Sequence, residues 1–398
     1  MKDVEGWETE SLGRLAHLTM GQSPDSKYYS EEENGLPFLQ GCAEFEARFP
    51  KHKMYCSQTK KLAHVGSILF SVRAPVGKIN IADCDYIIGR GLAAISGIDV
   101  DQFYLEHYLI FKEPNFRNAS QGSTFEAINF AELNGWPINY PTSKPEQTKI
   151  AEIISTVDRA IEQTDALITK QQRIKTGLMQ DLLTRGIDRH GNLRSEQTHQ
   201  FKDSSLGRIP VEWEVVKVKS IAKIVTGNRD TQDRDGAAEY PFFVRSQQVE
   251  RIGTYSFDGE AVLTAGDGVG TGKVFHYING KFDFHQRVYC LHSFKRDMDG
   301  YFFFQYFRAN FMDRVSQFSA KGSVDSVRMA MIIDMLIPKP NLDEQKAVSN
   351  ILGEAETILS DYASSAEKLH SLKTSLMQDL LTGKVQVTPL LNNSETGV

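Results

Sequence analysis

The chain is poor in what would mark it as a membrane protein, a secreted protein or an enzyme. Its 398 residues contain no run of eighteen apolar residues, so no segment reads as a membrane span. The four cysteines, Cys42, Cys56, Cys84 and Cys290, show no Cys-x-x-Cys spacing. That predicts free thiols in a cytoplasmic chain rather than a disulfide framework or a zinc site. The start, Met1-Lys2-Asp3-Val4-Glu5, is not the start of a signal peptide. There is no His-Glu-x-x-His, no Gly-x-Ser-x-Gly, no Asn-Pro-Pro-Tyr-like methyltransferase motif and no cluster of His and Cys ligands. The glycine-rich run 266–273 fails as a phosphate loop, because Asp267 stands where the first glycine is required and Val274 where the hydroxyl is required. Glu344-Gln345-Lys346 resembles half of a nuclease site, but the corresponding stretch is Glu146-Gln147-Thr148. Neither a cofactor nor a metal is expected. Excess positive charge is also lacking: 45 Lys and Arg against 51 Asp and Glu give a net charge of −6. A nucleic-acid binder of this composition must use a local basic face and draw further phosphate neutralisation from partners.

What the chain does have is one phrase said twice. Leu-Met-Gln-Asp-Leu-Leu-Thr occupies 178–184 and again 376–382, 198 residues apart. Glu146-Gln147 and Glu344-Gln345 keep the same offset. A period this long denotes a duplicated domain with a long helix, not a solenoid. Between these landmarks apolar residues recur with heptad spacing: Ile150, Ile154, Val157, Ile161, Ile168, Leu178 and Leu182 in the first copy, Val348, Leu352, Leu359, Leu369, Leu376 and Leu380 in the second. Such seams predict two long helices that pack on each other, over 146–185 and 344–384. Pro145 and Asn341 or Asp343 suit the helix starts, and Gly186 and Gly383 suit the ends. Lys175 and Lys373 interrupt the seams at matched positions; Ile174 and Leu372 beside them are expected to carry the packing there.

The domains before the helices also match. Trp7-Glu8 and Gly21 correspond to Trp213-Glu214 and Gly227, 206 residues on, and Gly122-Ser123 corresponds to Gly322-Ser323. The expected boundaries are a first domain over 1–145, a linker over 186–206, a second domain over 207–343 and a flexible tail over 385–398. The middles diverge. Each reads as mixed α/β, with a β-hairpin (65–82 in the first domain, 261–277 in the second), a short polar motif (88–92 and 284–288) and an aromatic helix (103–111 and 301–311). Arg73, Lys78 and Arg90 flank the first hairpin; Arg245, Thr271, Lys273, His285, Gln286 and Arg287 flank the second. Arg and Gln are suited to bidentate reading of guanine and adenine edges. Ser123 and Thr124, with Lys321 and Ser323, lie in turns able to offer backbone N–H groups to phosphates.

In this order and duplicated, these features resemble the specificity subunit of type I restriction-modification systems. The features that carry the likeness are Leu178–Thr184 and Leu376–Thr382, the approaches to Glu146-Gln147 and Glu344-Gln345, Trp213-Glu214-Val215 after Gly207-Arg208-Ile209-Pro210, and the hairpins ending Gly77-Lys78 and Gly272-Lys273. The resemblance implies two target recognition domains, each reading one half of a bipartite asymmetric sequence in double-stranded DNA. It implies a mixed α/β fold with a pseudo-two-fold internal repeat, the two domains separated by an antiparallel two-helix coiled coil. It implies that the helices set the spacing and dock two methyltransferase subunits, through which restriction/translocase subunits join, and that this chain is not catalytic. The rivals are a coiled-coil protein scaffold that never touches DNA, and an enzyme with a cleft in one of the diverged middles. A scaffold explains the seams and the acidity but not why matched frames carry diverged, loop-rich middles.

Overall fold

The computed structural model describes residues 4–120, 127–318 and 326–392. It divides into two compact units, one formed by 1–165 with 364–398 and the other by 166–363. Each unit therefore holds one globular domain, the beginning of the long helix that follows it and the end of the other long helix.

The first long helix spans Lys144–Thr184 and the second Leu342–Leu380. No proline interrupts either beyond Pro145. Asn341 Oδ1 accepts from Glu344 N at 3.0 Å, capping the second helix. Both helices exit through a glycine with positive φ, +60° at Gly186 and +71° at Gly383, the left-handed position that glycine fills without strain. The helix segments run antiparallel within each unit. In the first unit Asp158 pairs with Lys373 and Glu146 with Thr388; in the second, Lys175 pairs with Glu356 and the Ile187 amide with Glu344.

Burial along the two heptad rows is graded. Ile150, Ile154, Val157, Ile161, Leu182, Val348, Leu352 and Leu380 are buried, while Ile168, Leu178, Leu359, Leu369 and Leu376 are half-buried. The matched lysines are where the expectation fails. Ile174 and Leu372 are exposed, at 42% and 48%, and carry no packing. Each lysine instead crosses to an acid on the other helix: Lys175 Nζ to Glu356 Oε1 at 2.5 Å and Lys373 Nζ to Asp158 Oδ1 at 2.6 Å. The acids are themselves 198 residues apart, so the seam fault is one ion pair made twice. Burial alone would raise the Glu356 carboxyl. Hydrogen bonds from Lys175 and Tyr301, with the Arg308 charge, outweigh burial and hold it at about 2.

In the first domain, strand Trp7–Ser11 pairs with Pro137–Pro141, which leads into the long helix. A four-stranded antiparallel sheet runs in the order Ala16–Met20, Leu92–Gly97, Ile68–Ser71, Ile79–Ile81. A five-stranded sheet of short strands includes Leu36–Leu39 parallel to Tyr86–Ile88. In the second domain Glu214–Lys217 pairs with Leu336–Lys339. Here one six-stranded sheet holds both layers, because Phe275–Phe284 is a single ten-residue strand. Its first-domain counterparts, Ile79–Ile81 and Tyr86–Ile88, are broken apart at Asp83, where Tyr86 donates to the Asp83 carboxylate at 2.7 Å. The expected hairpins are present, with Ile68 opposite Ile81 and Thr264 opposite Phe275.

The aromatic helices are Gln102–Phe111 and Gly300–Ser316, N-capped by Asp101 and Asp299. Phe302, Phe303, Phe307 and Phe311 are fully buried and join Val348 and Leu352 of the long helix in one core. At roughly 2 kcal/mol per fully buried large side chain, this core holds the domain to its helix.

The duplicated Glu-Gln turns out to be a clamp. Gln147 and Gln345 are wholly buried. Gln147 donates to the Pro141 carbonyl at 2.8 Å and accepts from the Asp101 amide at 2.6 Å. Gln345 donates to Pro340 O at 2.8 Å and accepts from Asp299 N at 2.8 Å. Each glutamine thus ties the start of a long helix to the N-cap of the aromatic helix in its own domain.

The segment read as a linker, 186–206, and the described part of the segment read as a flexible tail, 385–392, contain packed residues. In 186–206, Ile187 bridges Leu193, and Phe201–Ser204 forms a hairpin with Gly207–Pro210. Arg194, 6% exposed, pairs with the buried Glu344, which also accepts from Trp213 Nε1 at 3.2 Å. In the tail, Val387 is buried and Thr388–Asn392 is helical.

Candidate nucleic-acid interface

The two domains build the same loop cluster on three equivalent backbone bonds, with a fourth that joins the same two loops but has its donor on the opposite loop in each domain. In the first, the Gln22 amide donates to Ile88 O at 3.0 Å, Gly89 N to Leu39 O at 2.8 Å, Val72 N to Gly91 O at 3.0 Å and Ile128 N to Val72 O at 2.9 Å. In the second, His285 N donates to Phe243 O at 2.9 Å, Gln286 N to Arg229 O at 2.8 Å, Gly266 N to Arg287 O at 2.7 Å and Val327 N to Gly266 O at 2.7 Å. Single β-bridges complete the match, Arg73 with Ala127 and Asp267 with Ser326. The duplicated glycines, Gly21 and Gly227, stand where a Cβ would strike the carbonyls of Gly89 and Phe284, so the approach of these loops excludes any side chain there. Position 41 then corresponds to 245, 73 to 267, 90 to 286 and 91 to 287.

On that shared frame the side chains differ. In the first domain Arg73 and Arg90 are exposed, on the two segments that the Val72–Gly91 backbone bond joins. The Arg90 amide donates to Ser23 Oγ at 3.2 Å, and Ser23 hydrogen-bonds Gln40. In the second domain Arg245, Gln286 and Arg287 are exposed around one loop cluster. Three carboxylates brace it. Arg245 donates to Asp267 at 2.9 Å, Gln286 donates to Asp230 at 2.9 Å, and Arg229 donates to the fully buried Asp283 at 3.1 Å. A cleft of about 420 Å³ is lined by Thr226, Asp267, Gln286, Arg287, Ser326 and Arg328, among others.

Three expected contacts take other roles. His285 is 3% exposed, and its Nδ1 accepts from the Arg287 amide at 2.9 Å. It shapes the loop from inside, and burial together with the Arg245 charge lowers its pKa. Thr271 is 5% exposed, too deep to reach a ligand. Lys78 is committed to Glu113 at 2.9 Å. Lys273 is exposed. Ser123, Thr124, Lys321 and Ser323 lie outside the described residues.

Sequence reasoning missed Arg229, Arg328 and the bracing aspartates. Arg229 was findable: it stands 206 residues after Ser23, at the offset of the duplicated glycines. Among the described residues no group of His, Cys, Asp and Glu is placed to hold a metal ion, and no helix is long and apolar enough to cross a membrane.

Comparisons with known proteins bear on this arrangement. The profile of a family described as "Type I restriction modification DNA specificity domain" matches the chain twice, over 4–170 and 210–360. A Methanocaldococcus jannaschii protein assigned as the MjaX specificity subunit of a type I restriction enzyme is 38% identical over 184 residues, 45% of this chain and 43% of that protein. The MjaVIII specificity subunit of the same organism is 25% identical over 323 residues, covering 73% of this chain and 72% of the relative. In the first of these the chain thus spans under half of the relative's length. In structure, the type I restriction-modification S subunit of M. genitalium superposes with a TM-score of 0.69 at 14% identity, covering 96% of this chain and 97% of that one.

Proposed function

Because the chain belongs to the type I restriction-modification DNA specificity family, we propose that each domain reads one half of an interrupted, asymmetric target in double-stranded DNA. The observation that carries this reading is the pair of loop clusters: one backbone frame, used twice, with Arg73 and Arg90 on one copy and Arg245, Gln286 and Arg287 on the other. A shared frame places both clusters alike against DNA, and different side chains make the two half-sites different. Arg and Gln supply paired donors and acceptors for base edges in the major groove. The long helices fix the separation of the half-sites and carry two methyltransferase subunits on their outward faces, through which restriction/translocase subunits join. Two copies of one helix motif suit two copies of one partner. With a net charge of −6, the chain leaves much of the phosphate contact to those partners. The complex works in the cytoplasm, and the chemistry belongs to the partners.

The test is methylation-site sequencing in a host carrying the complete system. The expected motif is interrupted and non-palindromic. A continuous or palindromic motif contradicts the two-reader proposal.

A further inference from the structure

We infer that Asp267 is a specificity-determining positioning residue: it holds Arg245 and Arg287 as a braced pair and so sets what the second domain reads. The inference rests on the DNA-reading proposal and gives one of the three bracing carboxylates a part in the reading.

Asp267 Oδ1 accepts from Arg245 Nη1 at 2.9 Å, and Oδ2 lies 3.7 Å from Arg287 Nε. The Asp267 side chain is 25% exposed, whereas the Arg245 and Arg287 side chains are 45% and 65% exposed. The acid therefore lies beneath its two partners. Its backbone is fixed by the bridge to Ser326, the Gly266 bond to Arg287 O and the Val327 bond to Gly266 O. Around it the loop carries Gly266, Gly268, Gly270 and Gly272, so the loop itself offers no other carboxylate to the arginines, and Arg287 shares its cleft with Tyr289, Arg328 and Met329. A guanidinium has five donors in a planar fork. With the carboxylate 3.7 Å from its Nε, a charge contact longer than a hydrogen bond, Arg287 keeps both terminal nitrogens for a base, the pair that matches O6 and N7 of guanine. Without the carboxylate, two like charges face each other across a glycine loop and sample many rotamers. They then become general phosphate grips rather than readers.

The first domain makes the comparison internal. The same bridge position holds Arg73, and the positions of Arg245 and Arg287 hold Gly41 and Gly91. One frame thus carries a lone arginine between glycines, or an acid between arginines. The inversion at this one position gives the two half-sites different requirements.

The experiment uses the chain assembled with its methyltransferase subunits and duplexes randomised in one half-site at a time. For Asp267→Asn the expected result is at least a tenfold loss of preference at one or more positions of the second half-site, with the first half-site read as before. Affinity for unrelated duplex should rise several-fold with a steeper salt dependence, because two cations lose their counter-charge. Asp267→Glu keeps the carboxylate and should restore most of the preference. The inference is overturned if Arg245→Ala or Arg287→Ala relaxes the second half-site while Asp267→Asn does not, or if the Asn and Glu variants behave alike. A complex that assembles with Glu but not with Asn gives Asp267 a structural role and overturns it too. If Asp267→Asn, Arg245→Ala and Arg287→Ala all leave the second half-site intact, the loop cluster is not the reader, and the underlying proposal fails there.

Discussion

At the scale of single residues, the duplicated Glu-Gln shows how a motif can be visible and misread. Glu344-Gln345-Lys346 invites comparison with a nuclease half-site. In the fold Gln345 and Gln147 are buried clamps with equivalent proline and N-cap partners, Gln345 also donating to the Asp297 carbonyl. Nothing in the two letters says that a glutamine side chain faces a proline carbonyl and an N-cap amide, because the amide is 46 residues away and the nearby proline is brought round only by the turn into the helix. Replacing Gln147 by Leu strands the Asp101 amide and the Pro141 carbonyl, at roughly 1–3 kcal/mol for each buried group left unpaired. Thermal unfolding of the variant should show the first domain destabilised by about 2–4 kcal/mol. A shift under about 0.5 kcal/mol would mean that the clamp is incidental.

His107 offers a second residue-level test. It is fully buried, its Nε2 sits 2.8 Å from Ser155 Oγ, and Lys373, Asp158 and Arg48 surround it. Burial pushes its pKa down to about 4, the nearby Lys373 and Arg48 charges add to this, and Asp158 opposes it. The folded state therefore holds a neutral ring where the unfolded chain takes a proton near 6.5. Its contribution to stability is complete above about 6.5 and is lost as pH falls toward 4. The residue 198 positions on is Gln305, also fully buried, so the duplicate supplies a non-titrating replacement. His107→Gln should flatten the first domain's loss of stability between pH 6.5 and 4, followed by denaturation at several pH values. An unchanged pH profile would refute the assignment.

At the scale of elements, the helices, hairpins and aromatic helices were legible because their signals are local: heptads, Pro and Gly punctuation, and β-rich runs around a turn. The crossing ion pairs were not. Lys175 and Lys373 read as seam faults because their partners, Glu356 and Asp158, sit on the other helix. Removing one partner should leave the other charge half-buried, so a double-mutant cycle on Lys373 and Asp158 is expected to give a coupling of about 1–2 kcal/mol that shrinks with salt. A coupling below about 0.3 kcal/mol would reduce the pair to surface decoration. Glu356 adds a pH signature. Its folded pKa of about 2 lies below the usual 4.5, so its contribution is present above 4.5 and is lost as pH falls from there toward 2. A larger perturbation tests the seam itself. Changing Leu178 and Leu376 together to Asp places unpaired charge against both cores; the helix pairing and assembly with methyltransferase subunits should fail together. A fully assembled double variant would contradict the seam.

At the scale of the whole molecule, the duplication was readable from a few identical letters. The equivalence of the two reading clusters was not, because it runs through backbone bonds whose side chains have diverged: Arg73 against Asp267, Gly91 against Arg287. The same divergence hides which side chains of each cluster reach outward. His285 sits next to Gln286 and Arg287 in sequence but points inward, whereas Arg229 and Asp230 sit far away in sequence and lie against Gln286. Adjacency in a loop says little about which side chain reaches out.

The central claim is that one frame, used twice, carries two independent readers. The most direct measurement is methylation-site sequencing of three strains carrying the complete system, with this chain unaltered, with Arg73→Ala or with Arg287→Ala. Arg73→Ala should relax the first half of the motif only, and Arg287→Ala the second half only, each by the 1–3 kcal/mol that a bidentate base contact confers. Either substitution altering the other half-site, or both altering the same half, would contradict the account.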